Sequence, residues 1–142
     1  MPVVDASVVV DWVAPDADPE LPALAGLERL AADDAELLAP RLLMEEVSNA
    51  LLTGVRSGRW SGAAADSACG LLRQLPVRLV DEPRDLDRAW DLARRYDNHP
   101  IYDLLYVALA ERRRTQLVTA DSSLRQRLVE LDWLVAPEQL LG

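Results

Sequence analysis

Lysine is absent from this chain of 142 residues; all 15 basic side chains are arginines. Histidine and cysteine occur once each, as His99 and Cys69. A lone cysteine cannot close an internal disulfide, which fits a reducing compartment. No histidine lies near Cys69 in sequence to activate it, so it reads as a small core residue. No apolar run approaches the ~20 residues that cross a bilayer, and no membrane partner is expected. The basic leader of a secretory signal is also missing, which makes the cytoplasm the expected location. Repeats, low-complexity tracts and long linkers are absent, and the length suits a single domain over 1–142 with one substantial core.

What the chain does hold is acid. Twenty-four carboxylates give a formal net charge of −9, a field that repels polyanions and argues against nucleic acid as a partner. Salt screens exposed charges beyond about 8 Å, however, so local patches count for more than the total. Half the residues are apolar and 27% charged, an ordinary globular balance.

Hydrophobic spacing alternates strand and helix. Residues 2–10 read as a β-branched strand followed by a turn. "PELPALAGLERLAA" places Leu21, Leu24, Leu27 and Leu30 on one helical face. "AELLAP" predicts a strand stopped by Pro40, and "RLLMEEVSNALLTGVRSG" a helix ending near Gly58. "SGAAADSACGLLRQL" predicts another helix and "VRLVD" a strand closed by Pro83. "DLDRAWDLARRY" is amphipathic, with Leu86, Ala89, Trp90 and Ala93 together, and "IYDLLYVALAERRR" is helical. "QLVTADSSLRQRL" reads as strand, turn and helix, "WLVAP" as a last strand and "EQLL" as a last helical turn. This alternation predicts an α/β fold whose parallel sheet is covered by helices on both faces. Ligands of such sheets collect beyond the carboxyl ends of the strands.

Four acids belong at that rim. Asp5 interrupts "MPVVDASVVVDW", where a core strand would want a hydrophobe; Asp121 ends the strand in "LVTADSS". Glu46 in "MEEVSNAL" and Asp103 in "HPIYDLLYVALA" fall early in helices, which begin on the same rim. Each also has a plain structural reading. Asp121 and Asp5 could cap the segments that follow them, Asp103 could complement a helix dipole, and Glu46 could be solvated beside Glu45. Together they are harder to dismiss, since unit charges ~4 Å apart repel by roughly 4 kcal/mol at an effective dielectric near 20. Without lysine to balance them, a hard divalent cation, Mg²⁺ or Mn²⁺, is the natural partner. Carboxylate-held Mg²⁺ suits hydrolysis of a phosphodiester.

In these four segments the chain resembles the PIN domain, specifically the VapC-type ribonuclease toxins of toxin–antitoxin pairs. "VVDASVVVDW" matches the opening strand with Asp5 and Ser7; "MEEVSNAL" supplies Glu46, Asn49, Ala50 and Leu51; "YDLLYVALA" supplies Asp103; "LVTADSSL" supplies Thr119 and Asp121. "GVRSGRWS" resembles the family's turn between two helices. The resemblance implies a three-layer α/β/α fold with a mainly parallel sheet. It also implies a Mg²⁺-dependent endoribonuclease, with Mn²⁺ able to substitute, that is dimeric and neutralised by a small cognate antitoxin. Asp5 and Asp103 would be the principal metal ligands, Glu46 and Asp121 would complete the acidic site, and Ser7, Asn49 and Thr119 would orient ligands or water. Of the adjacent glutamates, Glu46 is preferred because Asn49 lies three residues on, on the same helical face.

Other residues carry weaker signals. Arg56, Arg59 and Trp60 could touch RNA or antitoxin through phosphate contacts and stacking, or simply form an exposed turn. His99 in "DNHP" reads as a loop residue before a helix, and "ERRRT" as a solvated helix end. Trp12, Trp90 and Trp133 read as core or interface residues. A response-regulator receiver would need a lysine beside its phosphorylated aspartate, and a haloacid-dehalogenase-type phosphatase a second aspartate where Ser7 stands. The alternatives that stay open are a PIN nuclease of RNA processing without an antitoxin, and an inactive PIN-like protein-binding module.

Overall fold

The first strand is shorter than its valines suggest. In the computed structural model β1 is only Val3–Val4, and Ala6–Val13 form a helix, α1. Val8, Val9 and Val10 are therefore helical, which corrects the expectation of a strand over residues 2–10. The modest helix preference of valine is overridden by burial: Val8 and Val9 are fully enclosed and Val13 nearly so. Asp5 occupies the N-cap position in extended conformation, and its carbonyl receives the Val8 and Val9 amides.

The structure describes residues 1–18, 20, 25–26, 28–29, 32 and 36–140. Leu21, Leu24, Leu27 and Leu30, the face of the helix expected for "PELPALAGLERLAA", lie outside the described residues. Beyond them come β2 (Leu37–Pro40), α2 (Leu43–Arg56), α3 (Gly62–Leu72) and β3 (Val77–Val80). Next are α4 (Arg84–Arg95), α5 (Ile101–Arg113), β4 (Leu117–Val118), α6 (Ser122–Arg127) and β5 (Leu134–Val135). A 3₁₀ turn over Pro137–Leu140 closes the chain.

The five strands form one sheet in the order β3-β2-β1-β4-β5, every pair parallel. All four residues of β2 and both of β1 are buried, as strands covered on both faces must be. Helix α5 packs across β1, β2 and β4 and against α4, while α1 packs against α2 and α3. The strand order runs outward from β1 to β3, then restarts at β4 on the other side of β1. The gap between β1 and β4 is thus the reversal point at which such sheets gather ligands.

Two expectations about packing need revision. On α4 the buried residues are Asp85, Ala89, Leu92 and Ala93, whereas Leu86 is 53% and Trp90 61% exposed. The inward face is rotated because Asp85 finds a partner inside, the Arg112 guanidinium at 2.7 and 3.0 Å. Trp12 and Trp133, by contrast, do pack against the core. Among the described residues, no helix is long and apolar enough to cross a membrane.

Candidate active site

The site is built around Asp5, which follows β1 directly and is only 6% exposed. Its position is that of a helix cap, yet its carboxylate makes no capping bond. Oδ2 instead accepts from the Ser7 hydroxyl at 2.6 Å and from the Thr119 hydroxyl at 2.9 Å. Thr119 follows β4 across the reversal point, so these bonds tie the two central strands together. The Ala120 amide donates to Ser7 Oγ and the Asp121 amide to Thr119 Oγ1, both at 3.1 Å. Arg125 anchors the Thr119 carbonyl. Both hydroxyls converge on one carboxylate oxygen.

Asp103 on α5 acts on this carboxylate electrically, and both act on Glu46 on α2. Burial pushes Asp5 above the usual carboxylate range; the Ser7 and Thr119 hydroxyls pull it partly back, and the Asp103 charge raises it again. Glu46 is raised by burial first, and then by the charges of Asp5 and Asp103. No basic side chain figures among the groups acting on either acid. Of the adjacent glutamates, Glu45 is exposed and lines a separate cavity of about 450 Å³ together with Arg41, Asp81 and Leu86. Glu46 Oε1 is instead buried beside the hydroxyl of fully enclosed Tyr106, which pulls Glu46 partly back; neither atom has a well-aligned hydrogen bond. Burial and the nearby Glu46 charge push the Tyr106 hydroxyl far up.

Asp103 is held from behind. His99 Nε2 lies 2.7 Å from its Oδ2, and His99 is 9% exposed. The second ring nitrogen, Nδ1, lies 2.8 Å from an Arg127 guanidinium nitrogen. Sequence reasoning gave neither Tyr106 nor Arg127 a role and kept His99 as a loop residue. For Tyr106 the signal existed, since it lies three residues after Asp103 on one helix face. For Arg127 there was none.

Other predicted residues stand apart from this group. Asp121 caps α6, its Oδ1 accepting from the Leu124 amide at 3.1 Å, and it does not figure among the charges acting on Asp5 or Glu46. Asn49 is exposed, and its carbonyl receives the Thr53 hydroxyl at 2.9 Å. Arg56 bonds the Thr53 hydroxyl at 2.8 Å, and Arg59 grips Asp16 at 2.7 and 3.2 Å. The half-buried Trp60 donates its indole N–H to the Leu51 carbonyl at 2.8 Å. Its ring fills the space over Gly54, where an added Cβ would fall 2.1 Å from ring carbon. This turn is a fitted joint between α2 and α3, and Gly54 is the glycine that permits it.

The oxygen-only donor set, with buried carboxylates on which no basic side chain acts, fits a hard cation. Among the described residues, no three His, Cys, Asp or Glu side chains form a group that could hold a metal by themselves. Mg²⁺ is usually bound through one or two carboxylates and keeps several waters.

Residues 3–127 match the PIN domain family. The chain is similar to two proteins of Mycobacterium tuberculosis, Ribonuclease VapC3 and Ribonuclease VapC1. Identity is 37% over 122 residues to the former, covering 86% of this chain and 83% of that one. To the latter it is 37% over 123 residues, covering 86% of each.

Proposed function

The chain belongs to the PIN-domain family, and from that premise we propose that it is a divalent-metal-dependent endoribonuclease, the toxin of a toxin–antitoxin pair. The observation that carries the reading is the group Asp5, Glu46 and Asp103: the charge of Asp103 raises Asp5, the charges of Asp5 and Asp103 raise Glu46, and no basic side chain figures among the groups acting on the two raised acids. Its similarity to two ribonucleases supplies RNA as the substrate.

In this reading Asp5 and Asp103 hold Mg²⁺ or Mn²⁺, and Glu46 faces the same centre. When bound, the ion offsets phosphate charge and acidifies a water it carries. Ser7 and Thr119 fix Asp5 Oδ2 and so set the orientation of the carboxylate. Glu46, raised by burial and by two neighbouring charges, is a ready proton acceptor for an attacking water. Asp121 contributes indirectly, by capping α6 and donating its amide to Thr119 Oγ1. With a net charge of −9, the surface gives polyanionic RNA little general attraction, so the affinity must come from metal-bridged phosphate and local arginines.

The reading extends to a single cytoplasmic domain, a dimer and a cognate antitoxin that neutralises it. The test is cleavage of defined RNAs by the purified chain with Mg²⁺, Mn²⁺ or chelator, together with expression of the chain alone in its host. Cleavage is expected with either metal and not with chelator, and growth is expected to slow for the wild type but not for Asp103→Ala. Cleavage that persists in chelator removes the metal from the mechanism. Equal toxicity of the two forms removes catalysis from the toxic effect.

A further inference from the structure

His99 is the only histidine in the chain, it is almost fully buried, and both of its ring nitrogens are engaged. A guanidinium has donors and no acceptor, so in the 2.8 Å contact with Arg127 it is His99 Nδ1 that accepts. The ring proton therefore sits on Nε2, which donates to Asp103 Oδ2 at 2.7 Å. A neutral N–H donor orients a carboxylate without cancelling its charge; an imidazolium would do both. The loop leading to His99 is shaped to deliver it. Asp97 and Asn98 both take left-handed backbone, at φ 60° and 59°, which residues other than glycine adopt rarely and Asp and Asn most readily. The Asn98 side-chain oxygen accepts from Arg94 at 2.6 Å, and the His99 amide donates to the Ala93 carbonyl at 3.2 Å.

We propose that Arg127 and His99 form a positioning pair for Asp103: the arginine fixes the imidazole tautomer, and the imidazole fixes the carboxylate that faces the metal. The proposal rests on the reading of Asp103 as a metal ligand given above. It explains why the end of α6 reaches back to the start of α5, and it gives the buried histidine work that involves no proton transfer. Partners of this kind, which orient metal ligands, typically change metal affinity or activity by 10–100-fold when removed.

Because the chain has one histidine, a long-range ¹H–¹⁵N correlation spectrum reports a single imidazole. The wild type should show protonated Nε2 and bare Nδ1. Arg127 is exposed, so Arg127→Met should keep the fold, and it should give a mixture of tautomers. By calorimetry, Mn²⁺ affinity should fall roughly 10–100-fold in His99→Leu and in Arg127→Met. It should recover in His99→Gln, whose amide can still donate to Asp103, and in Arg127→Lys. A wild-type ring protonated on Nδ1, or undiminished Mn²⁺ binding by folded Arg127→Met, overturns the pair. Asp103→Asn is the separate control. If it binds Mn²⁺ as well as the wild type does, the metal reading of Asp103 fails, and the tautomer spectra alone then decide whether the arginine sets the ring.

Discussion

Asp5 and Asp85 are hidden to nearly the same depth, at 6% and 9% exposure, and the protein treats them in opposite ways. Asp85 receives a bidentate guanidinium from Arg112, the strongest side-chain partner a carboxylate can have. The hydrogen bond that Arg112 donates to Asp85 is in turn the leading cause that raises Arg112. Asp5 receives two neutral hydroxyls and the repulsion of a second carboxylate. Stability alone would favour the same solution at both positions. The α4–α5 pair is finished within the chain, whereas on the reading proposed above the centre between β1 and β4 takes its positive charge from outside.

Three measurements on two substitutions test that contrast. The largest effect should come from Asp5→Asn, which keeps an acceptor for Ser7 and Thr119 but removes the charge. Cleavage should drop by at least about 100-fold, the upper end for residues that merely orient ligands, in a fixed-time assay on RNA with Mn²⁺. Retained cleavage would mean that the missing counter-charge at Asp5 has nothing to do with catalysis. Next is Asp85→Asn, which leaves Arg112 without its carboxylate. Denaturant unfolding should show a loss of roughly 2 kcal/mol, with cleavage by the folded fraction unchanged. A stability-neutral result would make the two aspartates alike after all.

The smallest effect carries the sharpest sign. Asp5 is raised in the folded chain, so its contribution to stability is fully present below the ordinary carboxylate range and is lost as pH climbs through the raised value. In chelator at neutral pH, Asp5→Asn should therefore melt a few degrees above the wild type, and the gap should close as the pH falls below about 4. A variant that melts lower at neutral pH would show Asp5 to be a structural residue.

Much of this arrangement can be read from residues alone. Pro40, Gly58 and Pro83 punctuate the chain where elements end, and helical spacing locates α2 through α5. The acids Asp5, Glu46 and Asp103 stand out because each falls at a strand end or a helix beginning. Val8–Val10 mislead, because a β-branched run favours a strand locally and only burial of one face makes it helical. Trp90 misleads for the opposite reason. Its spacing from Leu86 and Ala93 describes a good apolar stripe, but the small Ala89 and the bridged Asp85 are what α5 accepts. The Arg127–His99 contact spans 28 positions and has no local signature at all. Asp121 shows a third pattern: the ordinary capping role is realised, its Oδ1 accepting from the Leu124 amide.

Synthesis of the chain meets a delay built into the sheet. The Thr119 hydroxyl that clamps Asp5 comes 114 residues after it, just past the strand that closes the open side of β1. A polypeptide halted between the two holds Asp5 by Ser7 alone, beside an unpaired strand edge. On the reading proposed here, the nuclease centre is completed only when that distant segment has been made.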